Sequence, residues 1–457
     1  MSDIFDTVAA IATPAGSGGI GIIRISGEDA FSVAEKVFTA RSGEKLSDIN
    51  GYTARLGDVK NAAGELIDEA VALVFRAPRS YTGENVVELM CHGGEVVCEL
   101  VLRQVLKNGA RLAAAGEFTR RAFLNGRISL TEAESVSEII NAASKQGEMA
   151  AAALSHGALY KKTEELKEKI IDMQAHISAY IDFPEEDVDE VDMSGLRRDL
   201  AAVCKELKTL ADSYETGVNI MRGVPTVIVG SPNVGKSTLL NLLSGTEKAL
   251  VTPVAGTTRD IVEQRVRLGG TTLLLADTAG IRESDDMVER LGIERALERL
   301  ENAALVLAVF DSSRALCEDD MTLIKRLRGK NVVAVINKSD LEARLDMKFI
   351  ESAFPNNVYI SAREDAPPAP LSQAVARAVK TDRLDPSVPV LANERQRDVT
   401  QRALTAACDA AAAGGDESLD AVFAFLSEAL SALAELSGEN VTERVLDEVF
   451  SKFCVGK

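Results

Sequence analysis

The chain has 457 residues, roughly three times the usual length of a single domain, so two to four domains are expected. Hydrophobic residues make up 46% and charged residues 26%, which excludes a mostly disordered or fibrous chain. A formal net charge of −19 and an aromatic content of 4% argue against unaided, tight nucleic-acid binding and against base-stacking platforms.

The start of the chain and its cysteine usage predict a cytoplasmic protein. Met1-Ser2-Asp3 is not followed by a basic segment and an apolar core, and no run of about 18 apolar residues appears, so no membrane association is expected. The six cysteines are scattered without a CxxC spacing, which favours reduced thiols. The nearest approach to a set of metal ligands is Cys91, His92 and Cys98.

Residues 1–125 mix short alternating apolar runs with glycine-rich turns, which predicts an α+β domain with its own core. The predicted strands are Thr7–Ala12, Gly19–Ser26, Val71–Phe75 and Val86–Met90, and the predicted helices are Asp29–Phe38 and Glu95–Lys107.

Residues 126–216 and 385–457 predict a helical domain, because apolar residues recur there at spacings of three and four. An acidic run around Pro184 predicts a solvated turn between two helices. A final helix through Val441, Leu446 and Phe453 has an apolar stripe that needs a partner. The simplest architecture packs both stretches into one bundle and inserts the intervening residues as a separate domain.

Residues 217–384 predict that inserted α/β domain. Apolar strand runs alternate with helical segments, which indicates a parallel sheet with crossover helices. The strand runs are Thr226–Val229, Leu273–Ala276, Ala304–Phe310 and Val332–Ile336.

A phosphate-binding loop follows the first of these strands. Gly230-Ser231-Pro232-Asn233-Val234-Gly235-Lys236-Ser237 fits the pattern G-x-x-x-x-G-K-[ST] between a strand and a predicted helix, Thr238–Leu243. The glycines let backbone N–H groups close on phosphate oxygens at the N-terminus of a helix. Lys236 can then reach the β- and γ-phosphates, and Ser237 can offer its hydroxyl to Mg²⁺.

Three further motifs follow in the order that a guanine-nucleotide hydrolase requires. Asp277-Thr278-Ala279-Gly280 supplies a carboxylate for the metal shell and an N–H for the γ-phosphate. Asn337-Lys338-Ser339-Asp340 supplies a carboxylate for the N1–H and amine of guanine, and Ser361-Ala362-Arg363 fits the loop beside the base. Thr257-Thr258-Arg259-Asp260 adds a switch threonine for Mg²⁺, and together the motifs predict a P-loop (Ras-like) G domain.

The group that orients the attacking water is left open by these motifs. Ile281 follows Gly280, where Ras-type enzymes place a glutamine. The nearby candidates are Glu283, Asp285, Asp286 and Glu289. Asn233 could also share a monovalent cation with residues 251–257, which would put positive charge between the β- and γ-phosphate oxygens.

The whole chain resembles the MnmE (TrmE) family of tRNA-modification GTPases. The resemblance rests on the phosphate loop with Asn233, on Gly256–Asp260 and Asp277–Gly280, and on the terminal Cys454-Val455-Gly456-Lys457. It extends to N-terminal blocks that general GTPases lack, namely Ala12–Pro14, Gly21–Gly27, Ser80–Glu84, His92–Gly94 and Gly116–Asn125.

The resemblance implies site residues and cofactors. It implies Glu289 as the water-orienting residue, while the phosphate-loop motif makes Lys236 a catalytic candidate and its thiol chemistry makes Cys454 another. The motifs indicate Mg²⁺ at Ser237 and Thr258. The resemblance implies K⁺ at Asn233, Thr252, Val254 and Thr257. It implies a 5-formyl- or 5,10-methylene-tetrahydrofolate bound by Arg24, Glu88, Arg127 and Lys457. The GTP-binding set indicated by the motifs and the resemblance is Asn233, Val234, Gly235, Lys236, Ser237, Thr238, Thr252, Pro253, Val254, Ala255, Gly256, Thr257, Thr258, Asp277, Thr278, Ala279, Gly280, Asn337, Lys338, Asp340, Ser361, Ala362 and Arg363.

The resemblance also implies a reaction and its partners. A K⁺-activated homodimer would join the FAD-dependent MnmG in a heterotetramer, bind tRNA mainly through MnmG, and add a carboxymethylaminomethyl group to C5 of the wobble uridine, U34. The alternative is a regulatory or ribosome-assembly GTPase without a modification role. Cys454 is a candidate for one-carbon chemistry, or it simply caps the apolar stripe beside Phe453.

Overall fold

The computed structural model describes residues 6–182, 193–245, 263–276, 300–363, 367–381, 388–413 and 419–457. The chain divides into two compact units, one formed by residues 1–137 with 434–457 and the other by residues 138–433. These units do not coincide with the three predicted domains, whose bounds stay a prediction. Within the described ranges, no helix has both the length and the apolar composition needed to span a bilayer.

Both units contain strands and helices. The strands are β1 (Val8–Ile11), β2 (Ile20–Ser26), β3 (Phe38–Ala40), β4 (Thr53–Lys60), β5 (Leu66–Phe75), β6 (Val86–His92), β7 (Arg111–Leu112), β8 (Val224–Val229), β9 (Glu263–Leu268), β10 (Thr271–Ala276), β11 (Leu305–Asp311), β12 (Val332–Asn337) and β13 (Asn357–Tyr359). The helices are α1 (Ala30–Glu35), α2 (Glu95–Lys107), α3 (Glu117–Leu124), α4 (Leu130–Asn141), α5 (Lys145–Ser155), α6 (Ala158–Asp182), α7 (Met193–Asp212), α8 (Tyr214–Arg222), α9 (Lys236–Gly245), α10 (Glu318–Arg326), α11 (Met347–Ala353), α12 (Ala369–Ala378), α13 (Glu394–Ala413), α14 (Leu419–Ser437) and α15 (Glu443–Ser451).

The first unit is built on a seven-stranded sheet in the order β3-β4-β5-β6-β2-β1-β7. Its neighbouring strands pair antiparallel, except that β1 and β7 are parallel. Ile23 and Ile25 alternate along β2 and pack with Val101 and Val105 of α2 in one core. The alternate residues of β2, which include Arg24, therefore belong to the opposite face of the sheet.

Each predicted strand and helix of this unit is found, and two bounds differ most from the prediction. The strand predicted at Val71–Phe75 is the second half of β5, which begins at Leu66. The helix predicted to run to Phe38 ends at Glu35, because Phe38 pairs with Val59 in a strand and is buried in the core. Strand β4 was not predicted, since its charged residues and Gly57 hide the alternation of apolar positions.

The final helix, α15, finds its apolar partner within the first unit. Leu446 and Phe450 pack against Leu130 at the start of α4, and Phe123 of α3 borders the same cluster. The sequence assigns both this helix and α4 to the helical domain, and the packing of Leu446 and Phe450 on Leu130 agrees with that assignment. The helical pattern predicts the stripe, but only the three-dimensional arrangement decides what covers it.

In the second unit, helices from both sides of the α/β segment pack together, as predicted. Helix α7 packs against α13. Gln174 on α6 donates from Nε2 to Ser427 Oγ on α14 at 2.7 Å. A shared core joins Leu154 and Met221 to Leu391.

The α/β segment forms a six-stranded sheet in the order β13-β12-β11-β8-β10-β9. All neighbours are parallel except β9 and β10. Every residue of β11 and β12 is buried, as expected for central strands covered on both faces. The strand order reverses beside β8, and ligands of open α/β sheets bind at the carboxyl ends of the strands at such a point.

Candidate functional site

The phosphate loop leaves the carboxyl end of β8 and leads into α9, and its glycines are sterically required. Gly235 has φ +99°, and a Cβ there would lie 2.2 Å from Nδ2 of Asn337. A Cβ on Gly230 would lie 2.5 Å from the carbonyl oxygen of Val309 on β11. The loop therefore packs directly on the ends of β11 and β12, and only residues without a side chain allow that approach.

Lys236 is the first residue of α9 and lies at the end of this loop. Its Nζ donates to the carbonyl oxygens of Gly230 at 2.9 Å and Ser231 at 2.8 Å. Burial lowers the pKa of Lys236 from its ordinary value. No carboxylate among the described residues pairs with this ammonium, so a half-buried cation and a helix N-terminus together favour a polyphosphate ligand.

Asn337 joins three loops at the same edge of the sheet. Its Nδ2 donates to the carbonyl oxygen of Val234 at 2.9 Å, and its Oδ1 accepts from the N–H of Ala362 at 2.9 Å. The residue is 3% exposed, so both hydrogen bonds are protected from water. The phosphate loop is thereby tied to the two segments that were predicted to surround the base.

Lys338 continues this connection. Its backbone is in the left-handed region at φ +63°, and its Nζ donates to the carbonyl oxygen of Asn233 at 3.1 Å. The same Nζ pairs with Asp311 Oδ2 at 2.5 Å. Asp340, two residues further on, is exposed at this edge. The segment thus has two residues that brace the phosphate loop and a carboxylate that is accessible to a ligand.

The sequence analysis missed two buried carboxylates beside the loop. Asp311 is the last residue of β11. Burial raises the pKa of this carboxyl, but the hydrogen bonds from Lys338 and Ser313, with the charge of Lys338, together outweigh burial and leave the pKa lowered. Asp320, on α10, accepts from the hydroxyl of Ser231. An acidic residue at the end of an otherwise apolar strand is a signal that could have indicated Asp311, whereas nothing local indicates Asp320.

Part of the predicted nucleotide site lies outside the described residues. Ser237 and Thr238 are in the first turn of α9, and the half-buried Ser361, the buried Ala362 and the exposed Arg363 follow β13. The predicted residues outside the description are Thr252, Pro253, Val254, Ala255, Gly256, Thr257, Thr258, Asp277, Thr278, Ala279, Gly280 and Glu289.

A second polar site lies in the first unit. Arg24 on β2 and Glu88 on β6 are partners in the strand register, and Arg24 Nε is 2.8 Å from Glu88 Oε1. The Arg24 guanidinium lies 5.4 Å from the ring centre of Tyr81 and 5.5 Å from that of Phe118. Both charged side chains are largely buried, so the pair forms a polar patch on an aromatic wall.

Arg127 and the end of the chain border this patch in different ways. Arg127 Nε donates to the carbonyl oxygen of Ser80 at 3.4 Å. The Ser80 hydroxyl is buried and has no hydrogen-bond partner within the described part of the chain. Arg24 Nη1 donates to the carbonyl oxygen of Gly456 at 3.4 Å, which brings the Cys454–Lys457 segment to the pair. The geometry thus joins Arg24 to Glu88 and to the terminal segment, and it places Arg127 beside an unpaired hydroxyl.

The cysteines remain thiols in the described residues. Cys454 is exposed. The Sγ atoms of Cys91 and Cys98 lie 4.0 Å apart, and burial, with smaller effects from Cys98, raises the pKa of Cys91 to about 12. His92 instead bonds through Nδ1 to Asp68 at 2.7 Å. Across the described ranges, no three His, Cys, Asp or Glu side chains are grouped as metal ligands.

Comparison with known proteins gives matches along the whole chain. Residues 7–127 match the family described as "GTP-binding protein TrmE N-terminus", and residues 130–454 match the "MnmE helical domain". The tRNA modification GTPase MnmE of Clostridioides difficile (strain 630) is 40% identical over 459 residues, which cover 99% of this chain and 100% of that protein. The protein of the same name from Symbiobacterium thermophilum is 43% identical over 462 residues, covering 99% of each.

Similarity to solved structures covers a smaller part of the chain. The structure of Aquifex aeolicus Era Y63A bound to GDP·AlF4− is 28% identical over 40% of this chain and 65% of that one, with a TM-score of 0.27. That score is too low to infer a common fold.

Proposed function

This chain belongs to the MnmE family of tRNA modification GTPases, and from that premise we propose that it hydrolyses GTP to GDP and phosphate to support a modification of tRNA. The observation that carries the proposal is the position of Asn337, whose side chain ties the phosphate loop at Val234 to the segment at Ala362. In this role the loop and Lys236 bind the phosphates, and Asp340 accepts from the guanine edge.

The proposed metal and catalytic groups complete the G domain. Ser237 and Thr258 would hold Mg²⁺, which supplies positive charge beside the β- and γ-phosphate oxygens when bound. Ser237 fits because it occupies the first turn of α9, next to Lys236. Asp277–Gly280 would complete the phosphate side of the site, and Glu289 would orient the attacking water.

Activation by K⁺ in a homodimer is a further part of the proposal. Asn233, Thr252, Val254 and Thr257 would hold the cation, partly through backbone carbonyl groups. Asn233 supports this, because it lies in the phosphate loop with φ +61° and is exposed. A cation at this position would place positive charge where an arginine finger acts in other GTPases.

A tetrahydrofolate carrying a one-carbon group, 5-formyl or 5,10-methylene, is the proposed ligand of the first unit. The donor set fits such a molecule: Glu88 can accept from the amide and amine of a pterin, and Arg24, Arg127 and Lys457 can pair with glutamate carboxylates. The unpaired, buried hydroxyl of Ser80 beside Arg127 is a further polar group for it. When bound, the folate would supply the one-carbon unit, with Cys454 as a candidate nucleophile nearby.

The proposed reaction is addition of a carboxymethylaminomethyl group to C5 of U34, performed with the FAD-dependent MnmG in a cytoplasmic heterotetramer. The net charge of −19 supports a division of labour in which MnmG makes most contacts with tRNA phosphates. We also propose the domain bounds 1–125, 126–216 with 385–457, and 217–384. Likeness over the N-terminal residues and the terminal segment favours this function over a regulatory or ribosome-assembly GTPase, which needs neither.

Two measurements test the proposal. The purified chain should bind and hydrolyse GTP but not ATP, and equal use of both nucleotides would contradict the assignment of Asn337 and Asp340. Mass analysis of tRNA from cells lacking the chain should show unmodified U34, restored by the wild-type chain. Unchanged U34 in the deletion strain would instead support a regulatory GTPase.

A further inference from the structure

The terminal segment Cys454–Lys457 caps the N-terminus of α3 with its backbone. The first N–H groups of any α-helix lack partners within the helix, and Gly116 at the N-cap has no side chain to supply one. Gly116 N–H instead donates to the carbonyl oxygen of Cys454 at 3.4 Å, and Phe118 N–H donates to that of Lys457 at 3.1 Å. An antiparallel bridge between Ala115 and Val455 lies between these two contacts.

Gly456 allows the segment to pass closely over the end of β1. Its backbone has φ +97°, and a Cβ there would lie 2.3 Å from the carbonyl oxygen of Ile11 and 3.0 Å from Cα of Ala12. Both obstructing atoms are backbone atoms, one at the end of β1 and one in the next residue, whose N–H donates to the carbonyl oxygen of Ile22 on β2, so moving them would disturb the sheet. A side chain at this position would force the segment away from β1 and from Arg24, which donates to the Gly456 carbonyl group.

Gly116 fits the other side of this contact in the same way. Its backbone has φ +65°, and a Cβ there would lie 2.7 Å from the carbonyl oxygen of Phe450 and 3.0 Å from Cβ of Phe453. The start of α3 therefore lies directly against the end of α15, from which the terminal segment emerges. Two glycines, one at the N-cap of α3 and one in the segment, set how closely the segment approaches the helix.

We propose that Gly116 and Gly456 are positioning residues that hold the terminal segment on α3, so that Cys454 and Lys457 stand beside Arg24 and Glu88. The segment is held by its main chain, which leaves the thiol of Cys454 exposed for chemistry. The functional part of this inference rests on the proposed folate site, whereas the docking of the segment on α3 does not.

The experiment compares Gly456→Ala with Gly64→Ala in the full-length chain. Gly64 also has a positive φ, +82°, but a Cβ there meets no atom within 4 Å, so the control carries the same backbone strain without the collision. Amide hydrogen exchange at Gly116 and Phe118 reports the docking, and titration with 5-formyltetrahydrofolate reports the site. Gly456→Ala should speed exchange at both amides and weaken folate binding at least about tenfold, while Gly64→Ala should match the wild type in both.

A second variant lacking residues 454–457 keeps the test decisive if Gly456→Ala folds poorly. It should speed exchange at the same two amides and weaken the binding of 5-formyltetrahydrofolate. Wild-type exchange rates at Gly116 and Phe118 in either variant would overturn the docking. Wild-type folate affinity in Gly456→Ala would overturn the positioning role. If the wild-type chain binds no folate, the proposed folate function fails, and exchange alone decides whether the segment docks.

Discussion

Ser231 in the phosphate loop donates its hydroxyl hydrogen bond to Asp320 on α10, and Ser231 Oγ lies 2.5 Å from Asp320 Oδ1. Asp320 is 2% exposed, and it also accepts from the N–H of Cys317 at 3.0 Å and pairs with Arg314 at 2.8 Å. The carbonyl group of Ser231 accepts from Lys236. One buried carboxylate thus fixes the residue whose carbonyl group accepts from Lys236, the lysine proposed to bind phosphate.

Replacing this carboxylate should therefore weaken both folding and nucleotide binding. Asp320→Asn loses the ion pair with Arg314 and leaves buried donors poorly matched, at a cost of about 1–3 kcal/mol in the free energy of unfolding. We expect a lower affinity for GTP in equilibrium titration. The neighbouring Asp319 is exposed, so Asp319→Asn should match the wild type in both measurements. Wild-type stability and affinity in Asp320→Asn would show that the contact has no positioning role.

The same carboxylate should contribute to the acid sensitivity of the fold. Burial raises the pKa of Asp320, but hydrogen bonds from Ser231 and from Cys317 outweigh it and leave the pKa below the ordinary 3.8. A group with a lowered pKa stabilises the fold above its unfolded value, and this contribution is lost as the pH falls through the folded value. Below pH 3.8 the stability difference between the wild type and Asp320→Asn should shrink, as measured by denaturant unfolding. A constant difference down to pH 2 would contradict this.

The preference for guanine can be tested by replacing a hydrogen-bond acceptor of Asp340 with a donor. In the proposed site Asp340 would offer two acceptor oxygens to the N1–H and amine of guanine, whereas asparagine offers a donor and an acceptor. Asp340→Asn should therefore bind GTP more weakly and xanthosine triphosphate more tightly. Competition binding with both nucleotides measures the change. If the preference for GTP is retained, another residue reads the base.

The water-orienting role is tested at Glu289. Glu289→Ala should lower kcat about 10²-fold or more and leave nucleotide affinity near normal, because the proposed role of this carboxylate is in the transition state. Glu283→Ala is the matched control, since it removes another carboxylate from the same stretch of sequence. A larger loss in the control than in Glu289→Ala would transfer the role to Glu283.

The cation requirement is tested by exchanging salts. Replacing K⁺ by Na⁺ at constant ionic strength should suppress GTP hydrolysis, because the smaller ion does not fit the same oxygen ligands. Asn233→Ala should hydrolyse GTP slowly in both salts. Equal wild-type rates in K⁺ and Na⁺ would remove the cation from the mechanism.

The phosphate loop and the strands that support it could be predicted because their signals are local. Glycine and lysine spacing and continuous apolar runs constrain the backbone within a few residues, and strands β8, β10, β11 and β12 lie where those runs predict them. The motif Asn337–Asp340 was predicted to face the base for the same reason, since it ends a strand. Its second function, bracing the loop through Val234 and Asn233, depends on the sheet order and was not predicted.

By itself, the sequence determined the classes of its elements, the family and the chemistry of its motifs, because these depend on side-chain periodicity and short spacings. Only the tertiary structure decided which distant groups meet. Arg24 and Glu88 are 64 positions apart and become partners through strand pairing, and Ser231 meets Asp320 across 89 positions. The tertiary structure also decided that α15 packs on α3 and α4. An apolar stripe can be buried by any apolar surface, so the folded chain decides which surface lies next to it.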